Sequence, residues 1–259
     1  MRVLILAAGR GERMRPLTDH TPKPLLHVGG KPLIVWHIER LVRAGITDLV
    51  INHAHLGLQI EQALGDGSQF GATIAYSAEG TALETAGGIA FALPLLCPPS
   101  STGARGAGGA GEIFAVVNGD VYCDYDFADL ASRASALASS EDRVHLVLVN
   151  NPEHHLKGDF GLKAGRVVPL PPSPLSLIPS PLTVPSALTF SGIGLYRRSL
   201  FEDIVRGTKA PLAPLLREQI ALGKVSGEHH LGQWVDVGTP QRLAELDQQL
   251  LSSHKEAYD

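Results

Sequence analysis

Residues 1–26 read MRVLILAAGRGERMRPLTDHTPKPLL, and the fold follows from how that stretch is parsed. Val3–Leu6 is a short apolar run without polar alternation, the pattern of a strand buried on both faces of a parallel sheet. It ends in Ala7-Ala8-Gly9-Arg10-Gly11, a turn of small residues that lets backbone N–H groups approach whatever lies beyond the strand. Taken alone, the turn has two readings, an ordinary tight turn or a phosphate cradle. Met14 stands where a dinucleotide fingerprint has its third glycine, and no Gly-Lys-Ser/Thr follows. The charge around it favours an anion. Residues 1–31 carry Arg2, Arg10, Arg13, Arg15, Lys23 and Lys31 against Glu12 and Asp19, inside a chain whose formal net charge is −4. A local positive site in an acidic protein suits a small anionic ligand.

Working outward, apolar runs alternate with segments of helical period. The pattern predicts a helix over 33–43, with Pro32 at its first position and Gly45 past its end. It then predicts a strand over 48–52, a helix with Leu56, Ile60 and Leu64 on one face, and a strand over 72–77. Further on come a helix over 85–93, a strand over 113–117, a helix over 127–139 and a strand over 144–149. This alternation implies an α/β layer architecture. After Asn150 the order changes to a hairpin (160–163 and 166–168), a strand over 189–196 and helices over 214–222 and 240–251, so the sheet is expected to be mixed. At 259 residues and 44% hydrophobic content, the chain can bury one large core, and a single domain is expected. Residues 98–111 are rich in Gly, Ala and Ser, and residues 169–185 are rich in Pro. Both read as loop insertions rather than partner-binding tracts.

Composition also excludes. There is no Lys/Arg tail and aromatics are few, so neither nucleic acid nor a membrane surface is an expected partner. No run approaches the ~20 apolar residues of a membrane helix, and the first apolar run is too short for a signal-peptide core, so the expected compartment is the cytoplasm. Cys97 and Cys123 have no CxxC spacing, which argues against a disulfide framework and a thiolate zinc site. The pairs at His53/His55, His154/His155 and His229/His230 match no complete metal set and read as packing or surface residues.

The stretch LAAGRGERMRPLTDHTPKPL resembles the signature of the sugar nucleotidyltransferases, the nucleotide-sugar pyrophosphorylases. Their pattern is L-A-A-G-x-G-T-R-L/M-x-P-L-T followed by P-K-P-L/M, and Glu12 replaces the commoner Thr. The resemblance implies a Rossmann-like (GT-A-type) three-layer fold around a mixed, mainly parallel sheet, with a nucleotide-binding half at about 1–120 and a sugar-binding half at about 121–259. It implies that a sugar 1-phosphate attacks the α-phosphorus of a nucleoside triphosphate as pyrophosphate leaves. It also implies roles. Ala7, Ala8, Gly9 and Gly11 would cradle the nucleotide, Arg13 would hold the β and γ phosphates, and Lys23 would bridge the α-phosphate and the sugar phosphate. Glu79 and Gly87, in EGTALETAGG (79–88), would meet the base; Asn118 and Asp159 would face the sugar; Asp120 and Asp236 would ligate Mg²⁺.

The chemistry independently calls for such groups, because crowded phosphate charge must be met by cations and backbone donors. Carboxylates from distant chain positions suit Mg²⁺, which takes oxygen ligands and keeps substrate phosphates in its shell. Neither aspartate has a Lys or Arg within three residues, so a metal is its expected counter-charge. Read as structure alone, 79–88 is a helix start and Asp120 a strand-end turn residue. Other stretches (YSAEGTALETAGGI, VNGDVYCDYDF, NPEHHLKGDF, KVSGEHHLGQWVDVGT) resemble the members that use UTP and N-acetylmuramic acid 1-phosphate. Mannose-1-phosphate guanylyltransferases share the Lys23 signature and base loop. A non-catalytic relative that binds a nucleotide sugar would be marked by loss of Lys23, Arg13 or an aspartate, and all are kept. Whether the chain is a monomer or a homo-oligomer is left open.

Overall fold

Successive residues of the first strand serve opposite faces of one sheet. Val3 and Ile5 join one buried cluster, while Leu4 joins another, as the two-residue repeat of an extended chain requires. The computed structural model describes residues 1–98, 112–170 and 186–256. Apart from Pro98, Pro169 and Leu170, the two expected insertions lie outside the described residues.

In chain order the elements are β1 (Val3–Leu6), β2 (His27–Val28), β3 (Lys31–Pro32), α1 (Leu33–Arg43), β4 (Asp48–His53), α2 (Gly57–Leu64), β5 (Thr73–Ala78), α3 (Glu84–Leu96), β6 (Ile113–Asn118), β7 (Val121–Cys123), α4 (Asp129–Ala138), β8 (Val144–Val149), β9 (Phe160–Lys163), β10 (Arg166–Val168), β11 (Ala187–Arg197), α5 (Leu212–Ala221), β12 (Val225–His230), β13 (Trp234–Asp236) and α6 (Pro240–Glu256). Nine strands form the central sheet in the order β5-β4-β1-β6-β11-β8-β12-β10-β9. The ladders β5–β4, β4–β1, β1–β6 and β8–β12 are parallel, and β11 and β10 run against the rest. The sheet is therefore mixed and mainly parallel, as expected.

Helices cover both faces, which makes three layers. On one face Ile34 and Ile38 of α1, Ile60 of α2 and Leu130 of α4 pack on Ile5 and Ile51. On the other, Ile89 of α3 and Leu216 of α5 pack on Leu4, Phe114 and Val116. A third cluster (Met14, Val28, Leu33, Tyr122, Val237, Leu246, Leu250) ties α6 to the segment after β1. The helix ends follow local chemistry. Pro32 immediately precedes α1, and Gly45 follows it at φ +77, the left-handed turn that satisfies the last carbonyls. Leu56 differs from expectation: it stands just before α2 at φ +56 rather than on its face. Neither β12 nor the β7–β13 pairing was legible beforehand; β7 and β13 pair antiparallel as a separate two-stranded sheet.

His37 of α1 is fully buried, with one ring nitrogen donating to the carbonyl of Val121, 2.7 Å from Nε2. Burial holds its pKa down at about 4. The unfolded chain then takes up this proton at a higher pH than the folded one, so the contribution is fully present above about pH 6.5 and is lost as pH falls toward 4. We expect unfolding free energy to drop by about 3 kcal/mol over that window from this residue. His37→Gln, which keeps a donor but cannot charge, should flatten the profile in urea titrations at several pH values.

Candidate active site

Strands β1, β4 and β6 end side by side, with Leu6 in register with both Asn52 and Asn118. Ligands of open α/β sheets bind beyond such carboxyl ends. There the molecule has a cleft of about 490 Å³. One wall is the segment 7–14, another comprises Glu79, Ala82, Glu84 and Thr85, and the remaining lining includes Lys23, Asn118, Asp120 and Gly238.

The glycine turn fits the cradle reading. Ala8 to Gly11 lie outside any helix or strand, and none of their N–H groups has an acceptor among the described residues. Gly11 sits at φ +64, and a Cβ there would lie 2.9 Å from Thr18 Cγ2 and 3.2 Å from Lys23 Cβ. A side chain at 11 would be strained and would push on Lys23. Arg13 is exposed at the cleft, with no ion-pair partner among the described residues. Lys23 is the opposite case. It is only 6% exposed, and its Nζ meets Asp120 Oδ2 at 2.7 Å. A buried ammonium is tolerated because it is paired and hydrogen-bonded.

Asn52 is a site residue that sequence reading missed. Buried at the end of β4, it accepts from Ala7 N–H at 2.8 Å through Oδ1 and donates to Glu79 Oε1 at 2.6 Å through Nδ2. The other Glu79 oxygen accepts from Leu83 N–H at 2.9 Å. Burial pushes the Glu79 carboxyl upward, opposed by those two hydrogen bonds. One amide thus joins the glycine-turn wall to the 79–85 wall. Asn52→Ala should raise the KM for nucleotide about tenfold and cost about 1–3 kcal/mol of stability, since the buried Ala7 N–H and the half-buried Glu79 carboxylate lose their partner. Kinetics and denaturant titration check both numbers. Glu84 was also unforeseen: it opens α3 at φ +61 while lining the cleft, backbone strain of a kind that gathers at functional sites.

The two aspartates require a correction. Both have cationic partners, so the expectation that metal alone supplies their counter-charge is overturned. Asp120 pairs with Lys23, 97 positions away, and Asp236 Oδ2 accepts from Arg242 Nη1 at 2.8 Å with His154 Nε2 at 3.3 Å. Sequence proximity was the wrong criterion, because the fold supplies the cations. The β7–β13 ladder nevertheless sets Asp236 in register with Val121, beside Asp120; Asp236 itself, unlike Asp120, is not among the lining residues, although Gly238, two positions on, is. Each carboxylate is held through Oδ2, and neither Oδ1 has a hydrogen-bond partner among the described residues. That donor set fits a divalent ion that takes one oxygen from each residue and the rest from phosphate and water.

Two further expectations change. Gly87 does not line the cleft; its N–H donates to Ala210 O at 3.0 Å, and a Cβ would strike Thr208 O. Its smallness serves the packing of α3 on the 208–210 segment. Asp159 is also outside the cleft lining. Its carboxylate accepts from Phe190 N–H at 2.9 Å and meets His155 at 3.1 Å, which anchors the start of β11. Among the histidines, His53 pairs with Glu61 and His230 with Asp124. Cys123, Asp124 and His230 bring donor atoms within 4.8 Å of one another, but burial pushes the Cys123 thiol up to about 12.

Residues 2–170 match the family model described as Nucleotidyl transferase. The chain is 52% identical over 246 residues to the N-acetylmuramate alpha-1-phosphate uridylyltransferase of Neisseria meningitidis serogroup B, covering 95% of this chain and 96% of that one. It is 30% identical over 250 residues to a mannose-1-phosphate guanyltransferase of Schizosaccharomyces pombe, covering 93% of this chain and 62% of the relative. Among solved structures, a putative glucose-1-phosphate thymidylyltransferase from Bacillus anthracis superposes with a TM-score of 0.75 at 20% identity, covering 97% of this chain and 95% of that one. HddC from Yersinia pseudotuberculosis, complexed with GMP-PN, gives 0.69 at 17%, covering 96% and 98%. Those two are likenesses of fold. Among the described residues no helix is long and apolar enough to cross a membrane.

Proposed function

The chain belongs to the nucleotidyl transferase family, and from that premise we propose that it transfers a uridylyl group from UTP to N-acetylmuramic acid 1-phosphate, giving UDP-N-acetylmuramic acid and pyrophosphate. The observation that carries the reading is the likeness to the Neisseria uridylyltransferase along nearly the whole of both chains. The cleft supplies what such a reaction needs.

In the proposed step a phosphate oxygen of the sugar 1-phosphate forms a bond to the α-phosphorus of UTP. The bond from that phosphorus to the α,β-bridging oxygen breaks, and pyrophosphate leaves with the electron pair. The nucleophile is largely dianionic at neutral pH, since its second pKa is about 6, so no protein base is required. The protein's task is to position and neutralise the phosphates. Backbone donors at Ala8, Gly9 and Gly11 cradle the triphosphate, whereas the Ala7 N–H is taken up by Asn52 Oδ1, a correction to its expected role; the unpaired Arg13 meets the β and γ phosphates. Lys23 lies beneath the α-phosphate and the incoming sugar phosphate. Glu79, locked by Asn52 and Leu83, offers a fixed edge to the base, and Asn118 faces the acceptor. The half at about 1–120 chiefly holds the nucleotide and the half at about 121–259 chiefly the sugar, with Asn118 of the first half also facing the acceptor.

Asp120 and Asp236 would hold Mg²⁺ through their free oxygens, and the ion would offset the charge that gathers on the phosphates. A product of this kind belongs to peptidoglycan recycling in the cytoplasm. The test is pyrophosphate release from UTP, GTP, CTP and dTTP, each with N-acetylmuramic acid, N-acetylglucosamine, glucose and mannose 1-phosphates. The highest kcat/KM is expected for UTP with N-acetylmuramic acid 1-phosphate. Preference for GTP with mannose 1-phosphate would replace this reading with the guanylyl one.

A further inference from the structure

N-acetylmuramic acid differs from N-acetylglucosamine by a lactyl ether, which adds a carboxylate. A site that selects it needs a cation beyond those that serve the phosphates, placed at the sugar end of the cleft. Arg242, near the start of α6, does not itself line the cleft but lies against Gly238, which does. Its Nη1 donates to the backbone oxygen and Oδ2 of Asp236, both at 2.8 Å. Its Nε faces Thr239 Oγ1 at 3.4 Å. Nη2 has no hydrogen-bond partner among the described residues.

That free arm lies 2.8 Å from where a Cβ of residue 238 would be, and residue 238 is a glycine that lines the cleft. Any side chain there would cover Nη2. His154 steadies the same anchored arm, with Nε2 2.9 Å from Nη1. The result is a guanidinium with one arm anchored and the other, Nη2, presented past a missing side chain, where it can make an end-on charged hydrogen bond to a carboxylate. The cations assigned to the phosphates have other settings: Lys23 pairs with Asp120 and Arg13 lines the cleft beside the glycine turn.

We propose that Arg242, oriented by Asp236 and His154, binds the carboxylate of the acceptor sugar and so determines acceptor specificity. The inference rests on the N-acetylmuramic acid 1-phosphate reading above. The test measures kcat/KM with UTP and either N-acetylmuramic acid 1-phosphate or N-acetylglucosamine 1-phosphate, for wild type, Arg242→Gln, Arg242→Lys and His154→Gln. Arg242→Gln is expected to lower the ratio of the two kcat/KM values by about tenfold or more, mainly through the KM for the carboxylate-bearing sugar. Arg242→Lys should recover part of the ratio, and His154→Gln should reduce it less. Equal losses with both sugars would overturn the inference, since an arginine that only holds Asp236 affects them alike. A wild-type enzyme that turns over other sugars but not N-acetylmuramic acid 1-phosphate would overturn the acceptor reading itself.

Discussion

Lys23→Ala is expected to lower turnover by about 10²-fold or more with little change in the fold. Lys23 is 6% exposed, its backbone lies in the short 3-10 turn Lys23–Leu25, and its stem packs against Gly11. The ammonium is thus delivered to the cleft from a fixed base rather than on a mobile surface stem. A charge contact made mainly to reacting phosphates from a pre-positioned side chain is worth several kcal/mol. Its loss should not unfold the protein, because the partner carboxylate of Asp120 is 43% exposed and is left to water rather than stranded. Single-turnover rates beside thermal melts separate the two effects. A stable variant with near-wild-type turnover would remove Lys23 from the reaction.

Asp120→Asn and Asp236→Asn should each lower activity steeply and raise the Mg²⁺ concentration for half-maximal rate by about tenfold or more. Triphosphate and sugar phosphate bring several negative charges together, and Arg13 with Lys23 cannot offset them all. Each substitution keeps the side-chain shape but removes the anionic oxygen that faces away from its cationic partner. If both residues hold one ion, losing the second carboxylate matters much less once the first is gone. The double variant should therefore cost much less than the product of the single losses. Additive losses with unchanged Mg²⁺ dependence would contradict a shared ion.

How far the site was legible depends on the range of the interaction that sets each part. The run Val3–Leu6, the glycine turn and the Lys23 motif are local patterns, and the alternation of strands and helices around them follows from the apolar runs, whereas the order of the strands in the sheet does not. What sequence could not supply was partnership across the fold. Asn52 looked like part of a histidine-rich strand end, and only the Leu6–Asn52 register places its amide under Ala7. The cations on Asp120 and Asp236 were sought within three residues, whereas Lys23 arrives from 97 positions away and Arg242 from the next helix. Gly87 and Asp159 mislead for a related reason. Both lie in motif-like stretches, yet their contacts are structural, to the 208–210 segment and to the start of β11. A signal for Arg242 was present in the sequence, since it follows Gly238 by four residues in VGTPQR, but nothing in the pattern showed that its guanidinium passes a side chain that is absent.

The central claim is that one cleft, at the ends of β1, β4 and β6, gathers the triphosphate, the ion and the acceptor phosphate. Its most direct test is a crystal structure of the protein with a non-hydrolysable UTP analogue and Mn²⁺, the ion located by anomalous scattering. The account predicts the triphosphate against the turn at 8–11, Lys23 Nζ within hydrogen-bond distance of the α-phosphate, and one Mn²⁺ touching Oδ1 of both Asp120 and Asp236. A triphosphate bound elsewhere, or an ion that leaves either aspartate outside its shell, would contradict it.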